Sequence, residues 1–334
     1  MLGEFYSFEK KDFAKFIYKL TEYGKIANFL PLKGKNPALS FISEKNHIQL
    51  EDFDFDRQLS MDSPRLLLQK PYEQIGKFVN PTEKVVFFGL KNCDIYSILI
   101  HDKVFLYKEP IDENYKEIRN NSIIVSFDCR IICENCFASS FLDNPYPSGN
   151  FDLNISIVDD RFLVQTGSQK GVEIIGQLEK KKASNSEKQQ LFDKREMLKT
   201  EFQKRKIDLE NFYQIEKLEF INEGLDAITE PDKCLNCGAC DYICPASNQF
   251  KIQSGSEYIH SKWSTFFQNS NLASYKFKER FIYKFLYFRY LYNCIACSGC
   301  GRCTNICPGG IDIADIHRKL NAFLERRINE NISI

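Results

Sequence analysis

Two runs of cysteines in the last third of the chain have a spacing that can bind metal. Each run follows the pattern C-x2-C-x2-C-x3-C and is followed by proline. The first run consists of Cys234, Cys237, Cys240 and Cys244, and the second of Cys297, Cys300, Cys303 and Cys307. This is the spacing with which bacterial ferredoxins hold [4Fe–4S] clusters. Small residues between the cysteines let backbone N–H groups approach the sulfurs, so the two runs predict two such clusters.

The last cysteine of each run has a separate role in this pattern. It points away from its own turn and ligates the cluster of the other run. We therefore predict a first set of Cys234, Cys237, Cys240 and Cys307, and a second set of Cys297, Cys300, Cys303 and Cys244. Clusters held only by cysteine have no open coordination position, so these centres would transfer single electrons rather than bind a substrate.

A zinc-organised scaffold is an alternative for the same cysteines, because zinc also binds Cys-x2-Cys pairs. A zinc site needs only four sulfurs, however, and it does not call for two four-cysteine runs that each end in Cys-Pro. Cys294 forms one more Cys-x2-Cys pair with Cys297 but has no counterpart in the first run. We therefore leave Cys294 out of the ligand sets.

Three further cysteines form a C-x3-C-x2-C triplet in the first half of the chain, at Cys129, Cys133 and Cys136. This is the triplet of radical S-adenosylmethionine enzymes, so an enzyme of that class is an alternative function. Those enzymes follow the triplet with the alternating strands and helices of a barrel. Here a proline-containing loop, a hairpin and a charged helix are predicted instead, which disfavours that alternative.

Cys93 provides a fourth candidate ligand for this region. It follows a predicted buried strand at residues 84–89, and Cys129 follows another at residues 122–127. Parallel neighbours in a sheet bring the loops after their strands to one edge. Cys93, Cys129, Cys133 and Cys136, here called the N-terminal set, are therefore predicted to hold a third [4Fe–4S] cluster. The alternative is two or three buried structural cysteines.

The elements around these cysteines predict an α+β fold in three parts. Residues 1–170 form a mixed α/β domain with a helix at 12–23, the two strands above and a hairpin at 153–165. Residues 171–228 form a charged helical linker, which begins at a capping box from Ser184 to Glu187. Residues 229–334 form a mostly helical and loop-rich, ferredoxin-like domain with the two clusters. We interpret the linker helix as solvent-exposed, with a partner-docking arm as the alternative.

Composition narrows the class of protein and its compartment. The 334 residues contain 45 basic and 45 acidic side chains, which argues against nucleic-acid binding through bulk positive charge. No stretch approaches the ~18 uninterrupted apolar residues of a membrane span, and the charged first residues do not resemble a secretory signal. We therefore expect a cytoplasmic protein, in which thiols stay reduced and clustered cysteines indicate metal rather than disulfides.

Two charged features near the cysteines have more than one interpretation. Residues 275–292 interleave aromatic residues with Lys276, Lys278, Arg280, Lys284 and Arg289. We expect this helix to pack its aromatic side chains over the cluster domain, with the basic residues solvated or compensating cluster charge. A face that docks nucleic acid or a partner protein is the alternative. Asp94, next to Cys93, is expected either to hydrogen-bond near the cluster or to cap the following helix.

Together these motifs resemble one family: the iron–sulfur beta subunit of cytosolic sulfhydrogenases and its counterpart in anaerobic sulfite reductase. The resemblance spans roughly residues 80–320. Its motifs are G-x-x-x-C-D at 89–94, Cys-Phe-Cys at 136–138, G-[FY]-D-L at 150–153 with asparagine in place of the glycine, G-S-x-K-G at 167–171, the tryptophan Trp263 with the basic aromatic helix, and C-G-R-C at 300–303. Where the family has the second cysteine of Cys-Phe-Cys, this chain has Ala138, so Cys133 is the candidate to replace it.

The resemblance implies a non-catalytic subunit that carries electrons in an anaerobic oxidoreductase complex. In the family, a flavin subunit exchanges electrons with NAD(P)H, and a nickel–iron hydrogenase or siroheme sulfite reductase subunit performs the catalysis. This chain has no glycine-rich G-x-G-x-x-G fingerprint, so we assign nucleotide binding to another subunit. The radical S-adenosylmethionine alternative leaves open whether the chain is itself an enzyme.

Overall fold

A computed structural model of the chain describes residues 2–36, 38–43, 48–55, 62–68, 83–209, 218–228, 233–246, 251–254, 257–260 and 273–329. Trp263, which belongs to the family resemblance, lies outside these residues. Within them, no helix is both long enough and apolar enough to cross a membrane.

The largest element is a mixed sheet of eight strands in the order β3-β2-β4-β5-β6-β7-β1-β8. The strands are β1 Phe5–Glu9, β2 Lys25–Asn28, β3 Ser40–Ile42, β4 Val85–Leu90, β5 Ser122–Phe127, β6 Leu153–Val158, β7 Arg161–Thr166 and β8 Lys181–Lys182. Strands β2, β4, β5 and β6 run parallel, whereas the other pairs are antiparallel. A separate hairpin is formed by β9 Lys251–Ser254 and β10 Glu257–His260. The α+β fold predicted from the sequence is confirmed.

Helices surround this sheet and make up most of the described C-terminal part. The helices are α1 Phe13–Thr21, α2 Arg65–Leu68, α3 Asn92–Phe105, α4 Glu113–Asn121, α5 Gln169–Gly176, α6 Asn185–Gln203, α7 Leu218–Ile228, α8 Ala239–Tyr242, α9 Ala273–Ile282, α10 Phe288–Tyr292, α11 Arg302–Ile306 and α12 Ile313–Asn329. A π-helical segment, Tyr283–Tyr287, joins α9 to α10. The predicted N-terminal helix, the two buried strands and the hairpin all form within a residue or two of the expected positions.

The burial of strand β4 explains why the sequence that precedes Cys93 is apolar. All six of its residues are buried. Val85 and Phe87 pack into a core with α3 and α4, whereas Val86 and Phe88 pack into a second core with α1 and α5. A central parallel strand is covered on both faces, so its residues are apolar without alternation.

The end of β4 places Cys93 at the same sheet edge as Cys129. Gly89 has a φ of 93°, and a Cβ at this position would lie 2.5 Å from the Leu30 side chain, so glycine is required. The chain then enters α3 directly, with Cys93 in its first turn. Because β4 and β5 are parallel, the loop with Cys129 begins beside that turn, as the sequence predicted.

The predicted linker helix begins at the expected capping box. The Ser184 side chain accepts from the Glu187 backbone N–H, and Glu187 accepts from that of Ser184. Helix α6 is not fully solvated, because Leu191 packs against Phe5 beside the sheet and Phe202 is also buried. The preceding strand β8 pairs with β1. The domain limits given above remain a prediction.

The described C-terminal part has its own apolar core. Helices α7, α9 and α12 and the π-helical segment contribute to it through residues that include Leu225, Phe281, Phe285 and Leu320. The basic aromatic segment therefore buries aromatic side chains against its neighbours. This agrees with the interpretation that it packs over the cluster domain.

Candidate metal centres

The two cysteine runs repeat the same local backbone. In the first run, the residues on either side of Cys237, Asn236 and Gly238, have φ angles of 53° and 74°, and in the second run Gly299 and Gly301 flank Cys300 with 65° and 74°. Left-handed residues at these positions turn successive N–H groups toward one point, an arrangement that binds anions and iron–sulfur clusters.

Hydrogen bonding and chain direction support the same fit. The Gly299 N–H donates to the Cys297 sulfur over 3.3 Å, and each run continues into a short helix, α8 or α11. The sequence repeat is therefore also a structural repeat. Its thiols and inward N–H groups suit the donor set of a cysteine-ligated cluster.

The cysteines of the second set lie together. Burial, together with nearby Cys300 and Cys244, raises the pKa of the Cys303 thiol to about 12. Burial likewise raises the pKa of Cys297, and Cys244 and Cys303 add to that effect. Cys244 belongs to the first run in sequence, yet it lies among the cysteines of the second, which is the arrangement that the exchanged ligand sets require.

The first set lies nearer the surface than the second, with Cys237 exposed. Burial raises the pKa of Cys240, with Cys234 also contributing. A Cβ on Gly309 would strike the Lys233 carbonyl oxygen, so the segment after Cys307 lies against the residue before Cys234. The binding loop at 235–238 is exposed at all four positions, unlike residues 298–302 of the second run, which are all buried.

The N-terminal set is also brought together. Burial raises the pKa of Cys93 well above its ordinary value, and Cys300 and Cys129 are among the neighbours that raise it further. Burial raises the pKa of Cys136 to about 12, with contributions from Cys133 and Cys300. Cys133 therefore lies near Cys136, its replacement of the family's second cysteine remains a prediction, and the N-terminal set adjoins the second set through Cys300.

Ala138, at the position where the family has cysteine, is buried in a contact between the two halves of the chain. Its backbone N–H lowers the pKa of Cys136 by hydrogen bonding. A Cβ on Gly299 would lie 2.5 Å from the Ala138 Cα, and the Phe137 N–H donates to the Gly299 carbonyl oxygen over 2.9 Å. The loop that contains the triplet thus packs directly on the second run.

A buried ion pair joins the same two regions. Arg302, between two cysteines of the second run, lies 2.8 Å from the carboxylate of Asp94, and both side chains are 2% exposed. The other carboxylate oxygen of Asp94 accepts from the Lys91 N–H over 3.1 Å at the start of α3. Asp94 therefore caps the following helix, and it also pairs with a residue that lies between two predicted cluster ligands.

Sequence reasoning missed the side chains that hold the Cys129 loop. Arg195 on α6 donates to Asp128 at 2.8 and 3.1 Å, and Lys91 donates to the Asp128 carbonyl oxygen over 3.0 Å. Arg302 was also missed, although an arginine between two predicted cluster ligands is a signal in itself. Asp128 and Arg195 are 67 residues apart, so no local pattern connects them.

The described residues contain no group of three or more histidine, cysteine or acidic side chains that could hold a single metal ion. The cysteine triplet of the radical S-adenosylmethionine alternative follows β5, which lies inside an eight-stranded sheet with β3 and β8 at its two ends. Its cysteines are accompanied by Cys93.

Cys294 is half-buried, and burial raises its pKa. The ligand sets themselves remain predictions.

The contact between the two halves can be tested at two glycines that occupy the same place in the two runs. Gly238 and Gly301 both have a φ of 74°, but a Cβ on Gly301 would strike the Asn135 carbonyl oxygen, whereas one on Gly238 has nothing within 4 Å. We expect Gly238→Ala to cost only the left-handed strain of about 1–2 kcal/mol. Gly301→Ala should cost more and increase proteolysis of the loop at 129–138. Equal effects of the two substitutions on denaturant unfolding would contradict this contact.

Comparison with known proteins gives results for the cluster domain and for the whole chain. Residues 233–311 match the family model of the 4Fe-4S dicluster domain. The chain is 27% identical over 342 aligned positions to sulfhydrogenase 2 subunit beta of Pyrococcus furiosus, and the alignment covers 90% of this chain and 93% of that protein. No solved structure matches. The resemblance drawn from the sequence and the C-terminal position of the dicluster domain are confirmed.

Proposed function

We propose that this chain conducts single electrons through three [4Fe–4S] clusters. The premise is that it is an iron–sulfur electron-transfer subunit similar to a sulfhydrogenase beta subunit. The first, second and N-terminal sets would each hold one cluster. The observation that supports the proposal is that Cys300 lies near Cys93 and Cys136, while Cys244 lies near Cys297 and Cys303. Each cluster would supply one-electron chemistry, while the protein supplies the ligands and their order.

The order of the sets is supported by the neighbours of the second set. Cys300 raises the pKa of both Cys93 and Cys136, after burial. On the other side, the buried Arg280 guanidinium interacts with Cys240 of the first set and with Cys303 of the second. These neighbours support an order with the second set between the other two, and we propose an electron route between the N-terminal set and the first set that passes through it.

Both ends of this route reach the surface. Arg130, Ile131 and Glu134 are exposed around the N-terminal set, and the loop at 235–238 is exposed around the first set. The second run lies beneath the loop of residues 129–138. One end would receive electrons and the other would deliver them, so we propose a separate partner at each.

We further propose that these partners are a flavin subunit that uses NAD(P)H and a catalytic subunit of the hydrogenase or sulfite reductase kind. Support comes from the relative, whose name is that of one subunit of a sulfhydrogenase. It also comes from the sequence, which has no G-x-G-x-x-G fingerprint of its own. All thirteen cysteines are free, which suits a reducing compartment, so we propose a cytoplasmic location.

Iron and sulfide analysis tests the number of clusters. Anaerobically purified protein should contain about twelve iron and about twelve sulfide per chain, with the broad visible absorbance of cysteine-ligated clusters. Cys133→Ser should lower the iron content by about four. Cys294→Ser is the matched control, since Cys294 is half-buried but outside the sets, and it should leave the content unchanged. About eight iron in the wild-type protein would remove the N-terminal cluster, and zinc without visible absorbance would overturn the proposal.

A further inference from the structure

Lys284 is a buried lysine whose side chain reaches a predicted cluster ligand. It is 5% exposed, and its ammonium donates to the Cys244 sulfur over 3.2 Å. Its other contacts are the carbonyl oxygens of Ala246, at 2.6 Å, and Ala296, at 2.7 Å. An ammonium has three protons, so each of them has an acceptor. This lysine is therefore held in one position next to the sulfur.

The backbone fixes the same contact from the other direction. Lys284 lies in the π-helical segment Tyr283–Tyr287. This form of helix is rare overall, and where it does occur it is often at a functional site. The Lys284 carbonyl oxygen accepts from the Ala296 N–H over 3.0 Å. Ala296 directly precedes Cys297, so Lys284 contacts both segments that supply the second set.

Lys284 differs from two arginines near the sets in the groups that compensate its charge. Arg302 pairs with Asp94 at 2.8 Å, and Arg280 pairs with Asp241 at 3.5 Å. In the part of the chain that the structure describes, the three hydrogen bonds of Lys284 go to a sulfur and two carbonyl oxygens, and no carboxylate is among these acceptors.

A buried charge is costly unless an opposite charge compensates it. A cysteine-ligated cluster provides such a negative charge.

We propose that the Lys284 ammonium raises the reduction potential of the cluster held by the second set. The inference rests on the proposed function. Reduction adds one negative charge to the cluster. A fixed positive charge at a ligand sulfur therefore stabilises the reduced form more than the oxidised form. Charge, hydrogen bonds to sulfur and solvent exposure are the factors that set such potentials, and burial strengthens the first two.

A redox titration of the full-length, anaerobically purified protein tests this role of Lys284. Reduction would be followed by electron paramagnetic resonance in the wild type, Lys284→Met, Lys284→Gln and Lys284→Arg. At a fixed solution potential, Lys284→Met and Lys284→Gln should lower the reduced-to-oxidised ratio of one cluster at least tenfold, which equals about 59 mV for a one-electron couple. Lys284→Arg should restore most of the ratio. Lys194→Met, which removes an exposed lysine paired with Asp159, should change nothing.

Iron content separates this inference from the proposed function. If the wild type holds its clusters and Lys284→Gln holds them too, but with every midpoint unchanged, Lys284 does not tune the potential and the inference is wrong. If both Lys284→Met and Lys284→Gln lose about four iron, the lysine is a scaffold for the cluster, and the inference is also overturned. Absence of clusters from the wild-type protein would instead overturn the proposed function.

Discussion

Cys244→Ser is expected to remove the cluster of the second run, although Cys244 belongs to the first run in sequence. The iron content should fall by about four per chain. The physical reason is the position of Cys244, which influences the thiol pKa of Cys297 and Cys303. Cys244 is itself buried, whereas Cys237 of its own run is exposed.

Double substitutions show which cluster Cys244 belongs to. Two cysteines of one cluster should not add their effects, because the first substitution already removes the cluster, whereas cysteines of different clusters should add. Cys244→Ser with Cys297→Ser should therefore lose about four iron, and Cys244→Ser with Cys237→Ser about eight. Iron and sulfide analysis measures both. The reverse result would assign Cys244 to its own run and exclude the exchanged sets.

Arg302→Met is expected to cause a large loss of stability. It would leave the Asp94 carboxylate, which is 2% exposed, without its cation. Removing one partner of a buried pair costs about 3–5 kcal/mol. The substitution should also loosen the packing between α3 and the second run. The electron paramagnetic resonance signals of the N-terminal and second clusters should therefore change together.

Denaturant unfolding under anaerobic conditions measures this loss of stability. Two further variants serve as controls. Lys194→Met breaks the exposed pair with Asp159 and should change the free energy of unfolding very little. Asp94→Asn combined with Arg302→Met should cost less than the sum of the two single substitutions, because they share one interaction. An Arg302→Met variant as stable as Lys194→Met would mean that the ion pair does not hold the two halves together.

Most local structure near the cysteines could be predicted because it depends on neighbours in sequence. The buried strands at β4 and β5, the hairpin of β6 and β7 and the capping box at Ser184 all follow from short-range patterns. Their approximate bounds were correct for that reason. The edge shared by Cys93 and Cys129 also followed, because two parallel strands had to end at the same side of a sheet.

The side chains that adjust the charge around the sites could not be predicted in the same way. Lys284 was one of five basic residues in an aromatic helix, and the pattern left it either solvated or compensating cluster charge. Arg195 and Asp128 form a pair across 67 residues. Whether a charged residue is buried, and against which partner, depends on how distant segments pack, and no repeat in the sequence encodes that.

The sequence by itself determined the type of centre, because cysteine spacing and small left-handed residues act within a single turn. It also indicated the family and the α+β class. Only the tertiary structure decided that the two runs, which share the same local backbone conformation, differ in solvent exposure. Residues 235–238 are exposed, whereas residues 298–302 are buried. The reason is the loop of the distant triplet, which packs on Gly299 and Gly301 of the second run but leaves the first run uncovered. Local geometry defines a candidate ligand set, and long-range packing sets its solvent exposure, its charge and its neighbours.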